Sequence, residues 1–453
     1  MSVHVEIVET PALGDRSYVV HDGTVAVVVD PQRDLDRVER AVTVAGVEIA
    51  LVLETHMHND YVTGGLELAT RLGVPYVVNA ADPVSFERRA VSDGDELQAG
   101  RLRVRVLATP GHTATHLSYV ITDAEDPDAP AAVFTGGSLL FGSVGRTDLV
   151  APERTVELTH AQFHSARRLA AELREDTAVF PTHGFGSFCS SGSATGGADS
   201  TIGVERTRND ALTGDDEEGF VQRLVAGLTA YPAYYAHMGP LNEAGPRQPD
   251  LAPPQTAVAE ELAKRIDAGE WVVDLRSRTA YAADHLAGTI SIELGDQFAT
   301  YVGWLMPWGA SLTVLGETPE QVEDVQRQLM RIGIDSVDAA ATGPLQQIAE
   351  GLERGSYPRA TFAEVASRPE GEVVLDVRRD DERANGFIEG SVHIPLHALL
   401  NRLQDVPEGR LWVHCASGFR AGIATSLLAR AGRDAVHIDD DYPHAAEAGL
   451  PLN

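Results

Sequence analysis

The chain contains an internal repeat, and that repeat constrains its last two hundred or so residues more than any other feature. Val272-Val273-Asp274-Leu275-Arg276, followed by Leu286-Ala287-Gly288-Thr289-Ile290-Ser291-Ile292, returns as Val374-Leu375-Asp376-Val377-Arg378, followed by Ile388-Glu389-Gly390-Ser391-Val392-His393-Ile394. Each copy reads as an apolar strand, an acidic turn, a helix, and a glycine-marked turn into another strand. Leu312-Thr313-Val314-Leu315 then corresponds to Leu411-Trp412-Val413-His414. Two copies of one α/β domain are expected, at 255–350 and 355–453. Where the second has Cys415 the first has Gly316, so only the second carries a nucleophile. The first copy is left with packing or docking.

Cys415 stands in His414-Cys415-Ala416-Ser417-Gly418-Phe419-Arg420, between an apolar strand pattern and a helical pattern running from Arg420 to Arg430. At such a junction several backbone N–H groups converge. Together with the helix N-terminus they favour the thiolate, which is the nucleophilic form. Gly418 permits the tight turn, and Arg420 sets a fixed positive charge where an anionic substrate would land. Cys415 and Arg420 are the candidate catalytic residues; Ala416, Ser417, Gly418 and Phe419 are the candidate substrate-binding loop.

Residues 1–245 alternate strands with helices. Strands are expected near 18–20, 25–30, 48–54, 75–79, 101–107, 117–121, 132–135 and 178–181, and helices at 35–44, 62–72 and 155–173. That order predicts a layered α/β domain. Three polar loops each follow a strand: Thr55-His56-Met57-His58-Asn59-Asp60-Tyr61, Thr109-Pro110-Gly111-His112-Thr113 and Pro181-Thr182-His183-Gly184. Histidines gathered at strand ends are a metal-site signature, and His56 and His58 project to one side of an extended segment. The Gly/Ser-rich stretch 190–200 is expected to be a flexible or substrate-side loop, 215–218 a solvated acidic face, and Pro-rich 246–254 a linker.

Composition narrows the partners. A net charge of −31 over 453 residues argues against nucleic acid and anionic membrane. The two cysteines, Cys189 and Cys415, are no disulfide framework; they fit a reducing cytoplasm with reactive thiols. The opening Met-Ser-Val-His-Val-Glu-Ile lacks the basic and apolar regions of a signal peptide, and no apolar run reaches membrane-spanning length.

The Cys415 loop resembles the active-site loop of rhodaneses, the sulfurtransferases that carry sulfane sulfur as a cysteine persulfide. Phosphatase loops put five residues between Cys and Arg. The four here, Ala416 to Phe419, make a smaller ring that suits a persulfide sulfur. The first domain resembles a metallo-β-lactamase-fold protein through Thr55-His56-Met57-His58-Asn59-Asp60, Gly111-His112-Thr113, Phe134-Thr135-Gly136, Gly145-Arg146-Thr147-Asp148 and Pro181-Thr182-His183-Gly184. The whole order resembles fusions of a persulfide dioxygenase with an inactive and an active rhodanese domain. This resemblance implies an αββα sandwich followed by two α/β rhodanese-like domains. It also implies an iron held by two histidines and a carboxylate, with open positions for oxygen and persulfide.

The two histidines carry over to His56 and His112, but the carboxylate position is Gly137 and Tyr61 stands where the motif ends in His. Both changes also remove ligands that a dinuclear hydrolase of the glyoxalase II type needs. His58, Asp60 or His183 could complete the site. A set of His56, His58 and His112 would take Zn about as readily as Fe(II), and without a repair the pocket is a metal-free scaffold. Arg146 matches a motif near the thiol-substrate site, and Cys189, just past His183, is placed to hold or hand on sulfur.

The expected function is sulfur transfer through Cys415, from thiosulfate or a low-molecular-weight persulfide to a thiol, with persulfide oxidation and sulfite chemistry in the first domain if its metal is retained. The alternatives are a sulfur carrier and a metal-dependent hydrolase. Relatives of this plan commonly self-associate, so a homo-oligomer is expected.

Overall fold

The computed structural model describes residues 3–126, 128–191 and 199–453; most of the Gly/Ser-rich stretch lies outside them. It divides into two compact units, residues 1–249 with 329–333, and residues 250–328 with 334–453.

The first unit holds two sheets. One follows the order β1 (His4–Thr10), β2 (Asp15–His21), β3 (Val25–Val29), β4 (Glu48–Leu53), β5 (Tyr76–Asn79), β6 (Arg89–Val91). The other contains β7 (Glu96–Ala99), β8 (Leu102–Ala108), β9 (Leu117–Asp123), β10 (Ala132–Gly136) and β11 (Ala178–Pro181), with β11 at one edge and β7 at the other. Side chains alternate across each strand. Tyr18, Val20, Val27, Val29, Leu51 and Leu53 therefore point inward, against Val104, Val106, Tyr119, Ile121 and Phe134 of the facing sheet. Val19, Val28 and Val52 point outward and pack with Val38 and Leu68 of the helices Asp36–Ala45 and Gly65–Leu72. On the opposite outer face, Phe163, Ala166 and Leu169 of the helix Thr155–Glu172 cover Leu107, Val120 and Val133. The result is the expected αββα sandwich. Its three histidine-bearing loops leave the carboxyl ends of β4, β8 and β11.

The second unit repeats one parallel sheet. Its first copy runs Gln255–Thr256, Ala339–Thr342, Leu312–Gly316, Trp271–Asp274, Ile290–Ser291; its second runs Arg359–Ala360, Ala435–Ile438, Leu411–His414, Val373–Asp376, Val392–His393. Registers match as well. Asp274 lies beside Ser291 and Leu315, and Asp376 beside His393 and His414. Each aspartate receives an arginine two residues on, Arg276 at 2.6 Å and Arg378 at 2.8 Å.

Candidate functional site

The central strand Leu411–His414 delivers Cys415 at its carboxyl end, buried at 2% exposure, and the helix Phe419–Arg430 begins beyond it. Gly418 turns the chain with φ 86°. A Cβ there would lie 2.4 Å from Asp439 Oδ1 and 3.0 Å from Asp439 Cα, so the turn admits only glycine. The loop is pinned on both shoulders. Tyr442 N–H donates to the Ala416 carbonyl at 2.8 Å, and His437 Nε2 donates to the Gly418 carbonyl at 2.8 Å.

Arg420 does not stand as an open cation. Glu382 grips its guanidinium at 2.5 and 2.6 Å. Below the loop, burial pushes His414 down to about 4, partly offset by Asp376. Asp376 is held down at about 2: burial raises it, but its bonds to Arg378 and the charge of His414 win. Arg378 and Arg383 both bond Asp376, bracing the strand end from which the loop springs. The first copy also reaches this site. Tyr301 and Trp304 of its helix Phe298–Leu305 line a small pocket with Val377, Arg379, His397 and Arg420, and the Tyr301 ring meets Phe419 edge-on at 5.4 Å.

In the first unit the three loops bring four histidines together inside the protein. His56, His58 and His183 have ligand atoms within 4.8 Å of one another, and so do His112, His183 and Cys189. His183 is common to both groups. His56, His58 and His112, the expected set, are not one of these groups; His58 joins through His183 instead, its Nε2 held by Tyr61 Oη at 2.9 Å and Glu54 at 3.1 Å. Tyr61 is thus a partner of a histidine rather than a ligand. Asp60 forms a further such group with Asp15 and His183. It lies 3.1 Å from His183 Nδ1, opposite Asp15 at 2.9 Å.

The charges follow from this placement. Burial disfavours the imidazolium of His183, but Asp60 and Asp15 override it and lift His183 to about 10. Burial, with the charge of His183, holds His112 down at about 3. Burial would lower His58 too, yet Asp30 and Glu54 raise it to about 9.

At the missing carboxylate a Cβ on Gly137 would lie 2.2 Å from His112 Cδ2, so the imidazole ring occupies that space. His112 Nδ1 donates to the Arg146 carbonyl at 2.7 Å, and His112 Nε2, wholly buried, has no hydrogen-bond partner among the described residues. An unpartnered nitrogen on a ring 5.2 Å from that of His183 is what a cation-binding set presents before it is filled. The residues present fit a divalent metal.

Arg146 is not presented to a substrate. It is 2% exposed, bonds Asp148 at 2.7 and 2.8 Å, and donates to the carbonyls of Phe188 and Thr229. Cys189 is buried, and burial with the nearby Asp60 charge pushes its thiol well up.

Several participants escaped the sequence reading. Asp15, Asp30 and Glu54 are single carboxylates in or beside strands, with no spacing that marks them. Glu382 and Tyr301 reach Arg420 and Phe419 only through tertiary folding. His116 did carry a signal, as a second histidine in the His112 loop; its Nε2 accepts from Gly137 N–H at 3.1 Å.

The model of the metallo-beta-lactamase superfamily matches residues 12–183, and that of the rhodanese-like domain matches residues 361–444. The chain is similar to a hydroxyacylglutathione hydrolase of Acidiphilium cryptum, 33% identical over 180 residues, which is 39% of this chain and 68% of that protein. It spans 62 to 68% of the length of three such hydrolases. It is also similar to the mitochondrial persulfide dioxygenase of Homo sapiens, 28% identical over 247 residues, 54% of this chain and 81% of that one. Among solved structures, a metallo-beta-lactamase from Staphylococcus aureus aligns with TM-score 0.67 and 24% identity, covering 76% of this chain and 100% of its own. At that identity the likeness is one of fold.

Proposed function

We propose, from the premise that this chain belongs to the metallo-beta-lactamase superfamily through residues 12–183 and carries a rhodanese-like domain at 361–444, that it transfers sulfane sulfur by way of a persulfide on Cys415. The observation that carries this reading is the seat of Cys415, at the end of a central strand and before the positive end of a twelve-residue helix, in a loop pinned at Ala416 and Gly418.

In the first half-reaction the Cys415 thiolate attacks the outer sulfur of thiosulfate or of a small persulfide. A sulfur–sulfur bond forms at Cys415, the donor's sulfur–sulfur bond breaks, and sulfite or a thiolate leaves with the electron pair. Loop N–H groups hold the negative charge of the resulting persulfide. In the second half-reaction an acceptor thiolate takes the terminal sulfur and Cys415 returns as thiolate, which gives ping-pong kinetics. Cys415→Ser is expected to abolish transfer and to abolish the one-sulfur mass gain of the Cys415 peptide after exposure to donor. Full transfer by that variant would refute the assignment.

The similarity to a persulfide dioxygenase supports a second, metal-dependent activity on a thiol or persulfide in the first unit. His56, His112 and His183 would hold the cation, which supplies Lewis-acid or redox chemistry when bound. Oxygen uptake by ferrous-reconstituted protein given a small persulfide tests this. Uptake that needs His56 and His112 supports it, and no uptake confines the chain to sulfur transfer.

A further inference from the structure

We infer that Cys189 is a metal ligand: its thiolate joins His112 Nε2 and His183 Nε2 around a divalent transition cation of zinc or ferrous type, in place of the carboxylate that position 137 lacks. The inference rests on the reading of the first unit as metal-binding and is independent of Cys415.

Four observations carry it. The ligand atoms of His112, His183 and Cys189 already lie within 4.8 Å of one another. A tetrahedral ion with nitrogens at roughly 2.0–2.1 Å and sulfur at roughly 2.3 Å needs its ligands about 3.3–3.7 Å apart. His56 Nε2 stands 3.4 Å from His183 Nε2, so a fourth ligand is at that spacing from the shared histidine.

The histidine tautomers are set from outside. His112 Nδ1–H donates to the Arg146 carbonyl at 2.7 Å and His183 Nδ1–H to Asp15 at 2.9 Å. His56 Nδ1–H donates to Thr55 Oγ1 at 2.9 Å, while that hydroxyl itself donates to Asp30 at 2.8 Å. All three rings therefore turn Nε2 inward, the arrangement that outer partners impose on metal-bound imidazoles. His112 Nε2 is left buried and unpartnered, which is costly unless a further atom meets it.

One residue places both kinds of ligand. The Arg146 carbonyl holds His112, and Arg146 N–H donates to the Cys189 carbonyl at 2.8 Å. The Arg146 guanidinium holds the neighbouring Phe188 carbonyl at 3.1 Å, so this residue positions the cysteine loop instead of binding substrate. Ser187 Oγ accepts from Cys189 N–H at 3.1 Å and completes the turn.

Charge supplies the last argument. Imidazoles bring no negative charge to a dication, Asp15 and Asp60 face the outer Nδ1 of His183, and the His112 ring fills the space of a carboxylate at 137. A thiolate provides the missing negative charge. On binding, the Cys189 S–H and His183 Nε2–H bonds break, sulfur–metal and nitrogen–metal bonds form, and both protons leave to solvent.

The test uses full-length Cys415→Ser protein, in which Cys189 is the sole thiol. Loaded with cobalt(II), it is expected to show a thiolate-to-cobalt charge-transfer band in the near ultraviolet. Loaded with zinc, it is expected to show a sulfur scatterer at about 2.3 Å by X-ray absorption. Adding Cys189→Ser should remove the band and weaken cobalt binding by about tenfold or more, since even outer-shell changes reach that size. If that double variant fails to fold, the X-ray absorption of the parent decides. A bound cation with only nitrogen and oxygen scatterers overturns the role of Cys189. Failure to bind either cation overturns both this inference and the metal reading of the first unit. Neither outcome touches sulfur transfer by the wild-type chain, which is assayed separately.

Discussion

Gly418 shows how one residue conditions the nucleophile. Its φ of 86° is left-handed, and any Cβ would collide with Asp439. Left-handed backbone alone costs an L-residue roughly 1–2 kcal/mol, and the collision adds to it. Gly418→Ala is expected to destabilise the second unit by about 2 kcal/mol or more and to depress sulfur transfer well beyond that loss of folded protein. Urea titration beside a thiosulfate assay checks this, and a variant with wild-type transfer would show that the turn does not set the loop. Arg420 offers a second residue-scale prediction. Because Glu382 neutralises it at 2.5–2.6 Å, an anionic donor meets a paired cation. Glu382→Gln frees that charge, so KM for thiosulfate should fall by about threefold or more at low ionic strength, with the difference shrinking as salt screens it. An unchanged KM at low salt would mean that Arg420 serves only to brace the loop.

At the scale of elements, the strand Leu411–His414 ties stability to pH through its last residue. Buried His414 sits at about 4 against 6.5 for a free histidine. As pH falls below 6.5 the unfolded chain takes up a proton that folded His414 refuses, so the stability present above 6.5 is lost progressively down to about 4. That gap corresponds to about 3 kcal/mol. Asp376, held at about 2, extends the loss downward, since its stabilising charge is present above 3.8 and disappears as it protonates in the fold. His414→Phe should flatten the stability curve of the second unit between pH 6.5 and 4; an unaltered slope, followed by urea unfolding, would place the titrating group elsewhere. The same scale shows what the sequence reveals. Strands such as Val25–Val29 and Leu411–His414 are legible because burial on both faces leaves a continuous apolar run, Val25 to Val29 and Leu411 to Val413. Strands β6 and β7 are not, because three or four residues with exposed polar members at a sheet edge are too short a run to establish a period. The helix expected from 62 begins at Gly65, since the Thr63 side chain and backbone turn are engaged with Glu54 and Asn242 before it. The histidine loops were legible as a cluster. Which histidines share a ligand centre was not, because Tyr61, Arg146 and Asp15 decide that by contacts remote in sequence.

For the whole molecule, the two proposed chemistries draw on separate residues. Those around Cys415 all belong to residues 250–453, and those around His183 all belong to residues 1–249. A cation that binds only the folded first unit stabilises that unit by mass action, about 2.7 kcal/mol when its free concentration is about a hundredfold above Kd. For a unit of this size that corresponds to a rise in melting temperature of roughly 5–10 °C. Chelation should therefore lower one calorimetric transition by that amount and leave the other in place. Sulfur transfer from thiosulfate should stay unchanged in the same sample, because the described residues that brace Cys415 belong to one unit and the histidine cluster to the other. The paired measurement separates the alternatives. If transfer falls in step with metal content, Cys415 turnover depends on the first unit, and the division of labour read from the two sites is wrong. If neither transition moves on chelation, the histidines and Cys189 do not hold a stabilising cation, and their inward-facing nitrogens need another occupant.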